Sequence, residues 1–142
     1  MGYYSSNIAT SNQFKCKSNS VFSTLDDLYE KLNTVGWCEM SAFAKKQWDP
    51  TNRCCGQCNA TVLLVQEFFG GEIIEYDNPT SEKPKHFFNR IQGIDIDLTS
   101  EQFNPPLAEY SQKKKRYKTN SKLAYQYEKS AYILKLRLGL LE

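Results

Sequence analysis

The sequence predicts an α+β fold, and three observations predict it. Leu25, Leu28 and Leu32 form one stripe at helical spacing. The stretch from Asn59 to Phe69 is almost all apolar or small and stops at Gly70-Gly71, the mark of a buried helix. Short strand-like runs then follow one another before a last helical stripe. Helices and antiparallel hairpin strands kept apart along the chain make α+β rather than alternating α/β.

Taken in order, residues 1–20 are polar and are expected to form a flexible N-terminus, with a single domain over 21–142. Ser23 or Thr24 can cap the first helix, and Asp26 and Asp27 fall in its favourable first turn. That helix is expected to end near Asn33 and Gly36. A loop with Trp48, Asp49 and Pro50 leads to the buried helix, at whose start stands Cys58. The strands predicted next are Glu72–Tyr76, His86–Ile91 and Ile94–Leu98. Residues 77–85 read as a loop, and Gln92-Gly93 as a tight hairpin turn. After Pro105-Pro106, the positions Leu123, Tyr127, Ala131, Leu134, Leu138 and Leu141 give a final helix its docking stripe.

Composition bounds the function. The chain has 142 residues, an ordinary size for one domain. Its 40% hydrophobic content supplies a core, and no apolar run approaches the roughly 18 residues of a membrane span. The N-terminus lacks the apolar centre of a secretory signal. Met1-Gly2 with Ser6 fits the short myristoylation pattern, which chance explains better. The five cysteines are odd in number, so free thiols in a reducing cytoplasm are expected rather than a disulfide framework. Net charge is +2 but uneven: residues 1–110 sum to −5 and residues 111–142 to +7. The run Lys113-Lys114-Lys115-Arg116 with Lys118 reads as a solvated loop and helix start, not as a nucleic-acid contact.

The chemistry is expected at Cys58. A thiol is a good nucleophile only as thiolate, and a helix N-terminus favours the anion. Gly56 lets the chain turn sharply into that helix. His86 is the one histidine, so only it can serve as imidazole base. If Gln92-Gly93 is a two-residue turn, Ile91 faces Ile94 and His86 faces Thr99. His86, Phe88 and Arg90 then share a face with Asp95, Asp97 and Thr99, because strand side chains alternate. Asp97 lies diagonal to His86 and can orient its ring, while Asp95 pairs with Arg90. One oxyanion donor would be the Cys58 N–H, and Asn52, Gln57 and, more weakly, Trp48 are candidates for the second.

Several separated motifs resemble the YunG-like family of small uncharacterised bacterial proteins. They are Trp48-x-Pro50-x-Asn52, Gly56-Gln57-Cys58-x-x-Thr61, Gln66, Gly70-Gly71-Glu72, His86-x-Phe88-Asn89-Arg90, Asp97-Leu98-Thr99 and Gln102-Phe103. The order of Cys at a helix start, His on a strand and Asp on the next is similar to the core of papain-like and transglutaminase-like thiol enzymes. That resemblance implies a Cys58–His86–Asp97 triad in a hydrolase or acyl transferase acting on an amide, peptide or isopeptide bond, with no cofactor. It names no substrate. A catalytically inactive peptide-binding or structural module of the same fold is the alternative. Less favoured are a redox site at Cys55-x-x-Cys58, which wants a strand just ahead of it, and a zinc site of Cys54, Cys55, Cys58 and His86, with or without Cys38.

Overall fold

The computed structural model describes residues 2–42, 48–77, 85–102, 114–117 and 121–140. The first long helix, α2 (Leu25–Lys31), begins where its sequence supplies a cap. Thr24 Oγ1 accepts from the Asp27 N–H at 3.1 Å, and Asp27 Oδ2 reaches back to the Ser23 hydroxyl at 2.9 Å. Leu25, Leu28 and Leu32 are all fully buried. The helix does not simply stop near Asn33. It widens into a π-helical turn, Leu32–Gly36, that delivers Trp37 into the core. The Trp37 indole N–H donates to the Thr61 hydroxyl at 2.9 Å.

Helix α3 (Cys58–Phe69) is buried on nearly all sides, as its unbroken apolar run requires. After Gly70-Gly71 come β2 (Glu72–Asp77), β3 (Lys85–Ile91) and β4 (Ile94–Asp97). The β3–β4 turn has two residues, with Gln92 at φ 51° and Gly93 at φ 80°. Two positive φ values in succession match the right-handed twist of a hairpin, which is why glycine sits there. Ile91 pairs with Ile94, Arg90 with Asp95 and Asn89 with Ile96. Asn89 also ties β3 to α3, donating through Nδ2 to the Val62 carbonyl at 3.1 Å.

Two segments correct the sequence reading. Residues 1–20 were expected to be flexible, yet β1 (Tyr4–Ser5) pairs antiparallel with β4, a short helix α1 (Ile8–Ser11) follows, and Phe14 enters the core. The Lys17 N–H then donates to the Phe68 carbonyl at 2.7 Å. One buried aromatic and a two-residue strand hold a segment whose composition is otherwise polar. The second correction is the basic run. Lys114–Tyr117 is not a solvated loop but an edge strand, β5, paired with β2. Charged residues, lysine above all, are usual on an edge because they discourage further strand addition.

The sheet is therefore antiparallel, in the order β1-β4-β3-β2-β5. Helix α4 (Ser121–Leu138) is broken at Tyr127, where φ −124° and ψ 15° depart from helix. Beyond the break Leu134 and Leu138 are buried in the main core, with Ala131 packed against it. Other sequence readings, at residues 78–84, Pro105-Pro106, Lys113, Lys118, the Leu123 side chain and Leu141, lie outside the described residues. No described helix is long and apolar enough to cross a membrane.

Candidate thiol site

Cys58 is the first residue of α3. Two consecutive turns bring it there, closed by the Cys55 N–H on the Asn52 carbonyl at 3.0 Å and the Gln57 N–H on the Cys54 carbonyl at 3.1 Å. Gly56 sits between them at φ 77°, a conformation that a side chain would strain. The first bond of the helix ladder runs from the Thr61 N–H to the Gln57 carbonyl at 3.0 Å. The N–H groups ahead of it point out of the helix end beside the thiol, where negative charge is favoured. Apolar neighbours Val62, Leu63, Ile73 and Phe87 pack around Cys58.

His86 stands near the start of β3. Its Nε2 lies 2.6 Å from Asp97 Oδ2, and the Cys58 thiol is near enough to raise its proton affinity. With Nε2 on the carboxylate, Nδ1 is the ring nitrogen that could take the thiol proton. Cys58 is 7% exposed, His86 2% and Asp97 1%. Burial alone pulls the imidazole pKa down. The Asp97 carboxylate and the thiol outweigh that effect and push it up to about 10. The second carboxylate oxygen is held as well: Asp97 Oδ1 accepts from the Thr99 N–H and the Thr99 hydroxyl, each at 3.0 Å. Arg90 Nε donates to Asp95 Oδ1 at 2.6 Å, one register step toward the turn.

The candidates for a second oxyanion donor lie otherwise. Gln57 is fully buried; its Oε1 accepts from the Ser41 hydroxyl at 2.6 Å and its Nε2 donates to the Cys38 carbonyl at 2.8 Å. Trp48 gives its indole N–H to the Arg53 carbonyl at 3.0 Å. Asn52 Oδ1 accepts from the Cys54 thiol at 3.5 Å, and its backbone N–H donates to the Asp49 carbonyl. The expectation that Gln57 or Trp48 presents a donor at the thiol is thus corrected. Carbonyls of an irregular loop have no ladder partner, and these side chains satisfy them.

The remaining cysteines differ from Cys58. Cys54 is buried, its thiol 3.7 Å from the Thr99 carbonyl, and burial with nearby Asp97 and Glu101 pushes its pKa up to about 12. Cys16, Cys38 and Cys55 are partly exposed, and none of the five is bridged. Ahead of Cys55-x-x-Cys58 the described chain, from Trp48 on, makes turns and an isolated bridge rather than a strand. Among the described residues no group of three or more His, Cys, Asp or Glu could hold a metal ion. A cavity of about 510 Å³ lies between α3 and α4, lined by residues including Leu63, Glu67, Tyr132 and Lys135; none of Cys58, His86 and Asp97 lines it.

Sequence reasoning missed two residues at the site. Thr99 was placed opposite His86 but not seen as the partner of Asp97, although an Asp with Thr two places on is a known local pairing in turns. Asn59 was passed over; its Oδ1 accepts from the Cys58 thiol at 3.4 Å.

A family model described as YunG protein matches residues 24–138. An uncharacterized protein YunG from Bacillus subtilis (strain 168) is 32% identical over 96 residues, covering 65% of this chain and 80% of that protein. No solved structure matches.

Proposed function

The chain belongs to the YunG family, and from that premise we propose that it is a thiol hydrolase or acyl transferase whose nucleophile is Cys58. The observation that carries the reading is a buried His86 held at 2.6 Å by Asp97, with the Cys58 thiol at a helix start near enough to raise its proton affinity. The same elements support a papain-like or transglutaminase-like core, with the thiol helix beside an antiparallel sheet that carries first the His and then the Asp.

In this reading the Cys58 proton moves to His86, giving a thiolate–imidazolium pair that Asp97 stabilises. The thiolate attacks the carbonyl carbon of an amide, peptide or isopeptide bond. The charge on the oxygen is met by the N–H groups of the first turn of α3. As the C–N bond breaks, His86 returns the proton to the departing amine and a thioester remains. Water or a second amine then attacks the thioester, giving its proton to His86, and the thiolate departs. Thr99 acts through Asp97, holding the carboxylate for the ring.

The test is alkylation of Cys58 by iodoacetamide as a function of pH, read by peptide mapping so that the other four thiols are counted separately. Cys58 is expected to react at pH 6, where an ordinary thiol is almost wholly protonated, and His86→Ala to slow that reaction by about 100-fold, because the group that takes the thiol proton is gone. A parent protein whose Cys58 reacts only with the profile of an ordinary thiol would defeat the proposal. One observation favours the runner-up, a catalytically silent module of the same fold: the thiol is only 7% exposed. An ordinary profile is what that reading expects.

A further inference from the structure

The Cys58 thiol donates to Asn59 Oδ1 at 3.4 Å. In the reading above, that proton passes to His86. When the proton passes to His86, sulfur becomes an acceptor only, and an amide oxygen facing it is repelled. An asparagine side chain resolves this by turning its amide, since oxygen and nitrogen occupy nearly the same volume. Its Nδ2 then stands where Oδ1 stood, donating to the sulfur.

Resting on the Cys–His reading above, we propose that Asn59 is a catalytic residue: its side-chain amide is the switchable partner of the Cys58 sulfur, accepting from the thiol and donating to the thiolate. Three facts support it. Asn59 is 8% exposed, so its amide acts in a site mostly shielded from water. It is the second residue of α3, next to the nucleophile on a rigid helix rather than on the loop. Gln57 and Trp48, the polar side chains expected at the thiol, give their N–H groups to the Cys38 and Arg53 carbonyls. A hydrogen bond to an anion is stronger than the neutral one it replaces, so the amide lowers the cost of forming the thiolate.

The experiment is the alkylation profile of Cys58 with iodoacetamide, a neutral probe, in the parent, Asn59→Leu and Asn59→Asp proteins. Leucine keeps the shape without the donor. It is expected to slow alkylation about tenfold at pH 6 and to leave the rate unchanged at pH 10, because an ordinary thiol is ionised there without help from a neighbour. A merely structural role would not separate the two pH values. Aspartate places a carboxylate against the sulfur and is expected to slow the pH 6 reaction at least as much; it carries the test if the leucine variant fails to fold. A folded variant with the parent profile overturns the assignment of Asn59. The two ideas fail separately: if the parent and His86→Ala profiles coincide, the Cys–His reading falls, whereas a parent active at pH 6 with indifferent Asn59 variants removes Asn59 alone.

Discussion

The β3–β4 hairpin and the loop that precedes Cys58 both carry polar residues at the thiol site, and they use them in opposite ways. In the hairpin the backbone is satisfied by the strand ladder, so His86, Arg90, Asp95 and Asp97 turn to one another across it. In the loop from Trp48 to Gln57 the backbone has few regular partners, so Trp48, Gln57 and Arg53 turn to carbonyls. A polar side chain is available for chemistry only where the main chain does not need it. The hairpin delivers a tuned pair of groups, and the loop delivers a position.

The comparison can be broken most forcefully at the turn. Inserting one glycine between Gln92 and Gly93 moves the β4 side chains to the opposite face, taking Asp97 from the imidazole and Ile96 from the core. Melting is expected to show a loss upward of about 4 kcal/mol, the sum of a broken buried pair and an exposed apolar side chain. A protein that melts like the parent would mean that register is not what holds His86.

Asp97→Asn is next, with an expected cost of about 3 kcal/mol for leaving His86 without its carboxylate. It also tests the pH dependence. His86 binds its proton more tightly in the folded chain, with a pKa near 10 against an ordinary 6.5. Its stabilisation is therefore complete below about pH 6.5 and is lost as pH rises toward 10. Cys54, raised from 9.0 to about 12, adds a further loss only above pH 9. In a Cys58→Ser background, where the imidazolium draws its proton from solvent rather than from the thiol, stability is expected to fall as pH rises from 6.5 to 9, and to fall much less when Asp97→Asn is added. Denaturant melts at pH 6.5, 7.5 and 8.5 measure the two slopes, and equal slopes would remove Asp97 as the cause.

The loop side is sharpened by smaller changes. Gln57→Leu removes one buried bond from the Cys38 carbonyl and one from the Ser41 hydroxyl, which keep their bond to each other, and is expected to cost about 2 kcal/mol, roughly one for each bond. Trp48→Phe removes one bond to the Arg53 carbonyl, at about 1 kcal/mol, and leaves the alkylation rate of Cys58 unchanged. A clear slowing in the tryptophan variant, at unaltered stability, would put that indole at the thiol after all.

The same contrast explains what the sequence disclosed. Period-two alternation and a Gln-Gly turn fix the hairpin through local rules, so the partners of His86 and Arg90 could be worked out by counting. The leucines of α2 and the apolar run of α3 were legible because burial imposes periodicity or its absence. The pairing of Tyr4 with Asp97 left no such trace, since two residues carry no period and the partner lies far along the chain. The edge strand β5 was hidden because its pattern is charge, and its structure comes from pairing with β2. The π-helical turn at Leu32–Gly36 follows from how Trp37 must pack, which no local propensity encodes. At the site, residues on regular elements could be placed by register, whereas the hydrogen-bond partners of Trp48 and Gln57 depend on carbonyls brought near only by the finished fold.

Arg137 donates through Nε to the carbonyls of Val35 at 2.9 Å and Gly36 at 3.0 Å, across separations of 102 and 101 residues. Leu134 and Leu138 enter the core that the early helix α2 also builds. The chain is made from its N-terminus at about 5–20 residues per second. For the several seconds between synthesis of the π-helical turn and of α4, those carbonyls and that part of the core wait for partners that do not yet exist. Folding of this protein is thus closed by a later-made segment, and its nascent form leaves the π-helical turn and α3 without the helix that packs on both until α4 has left the ribosome.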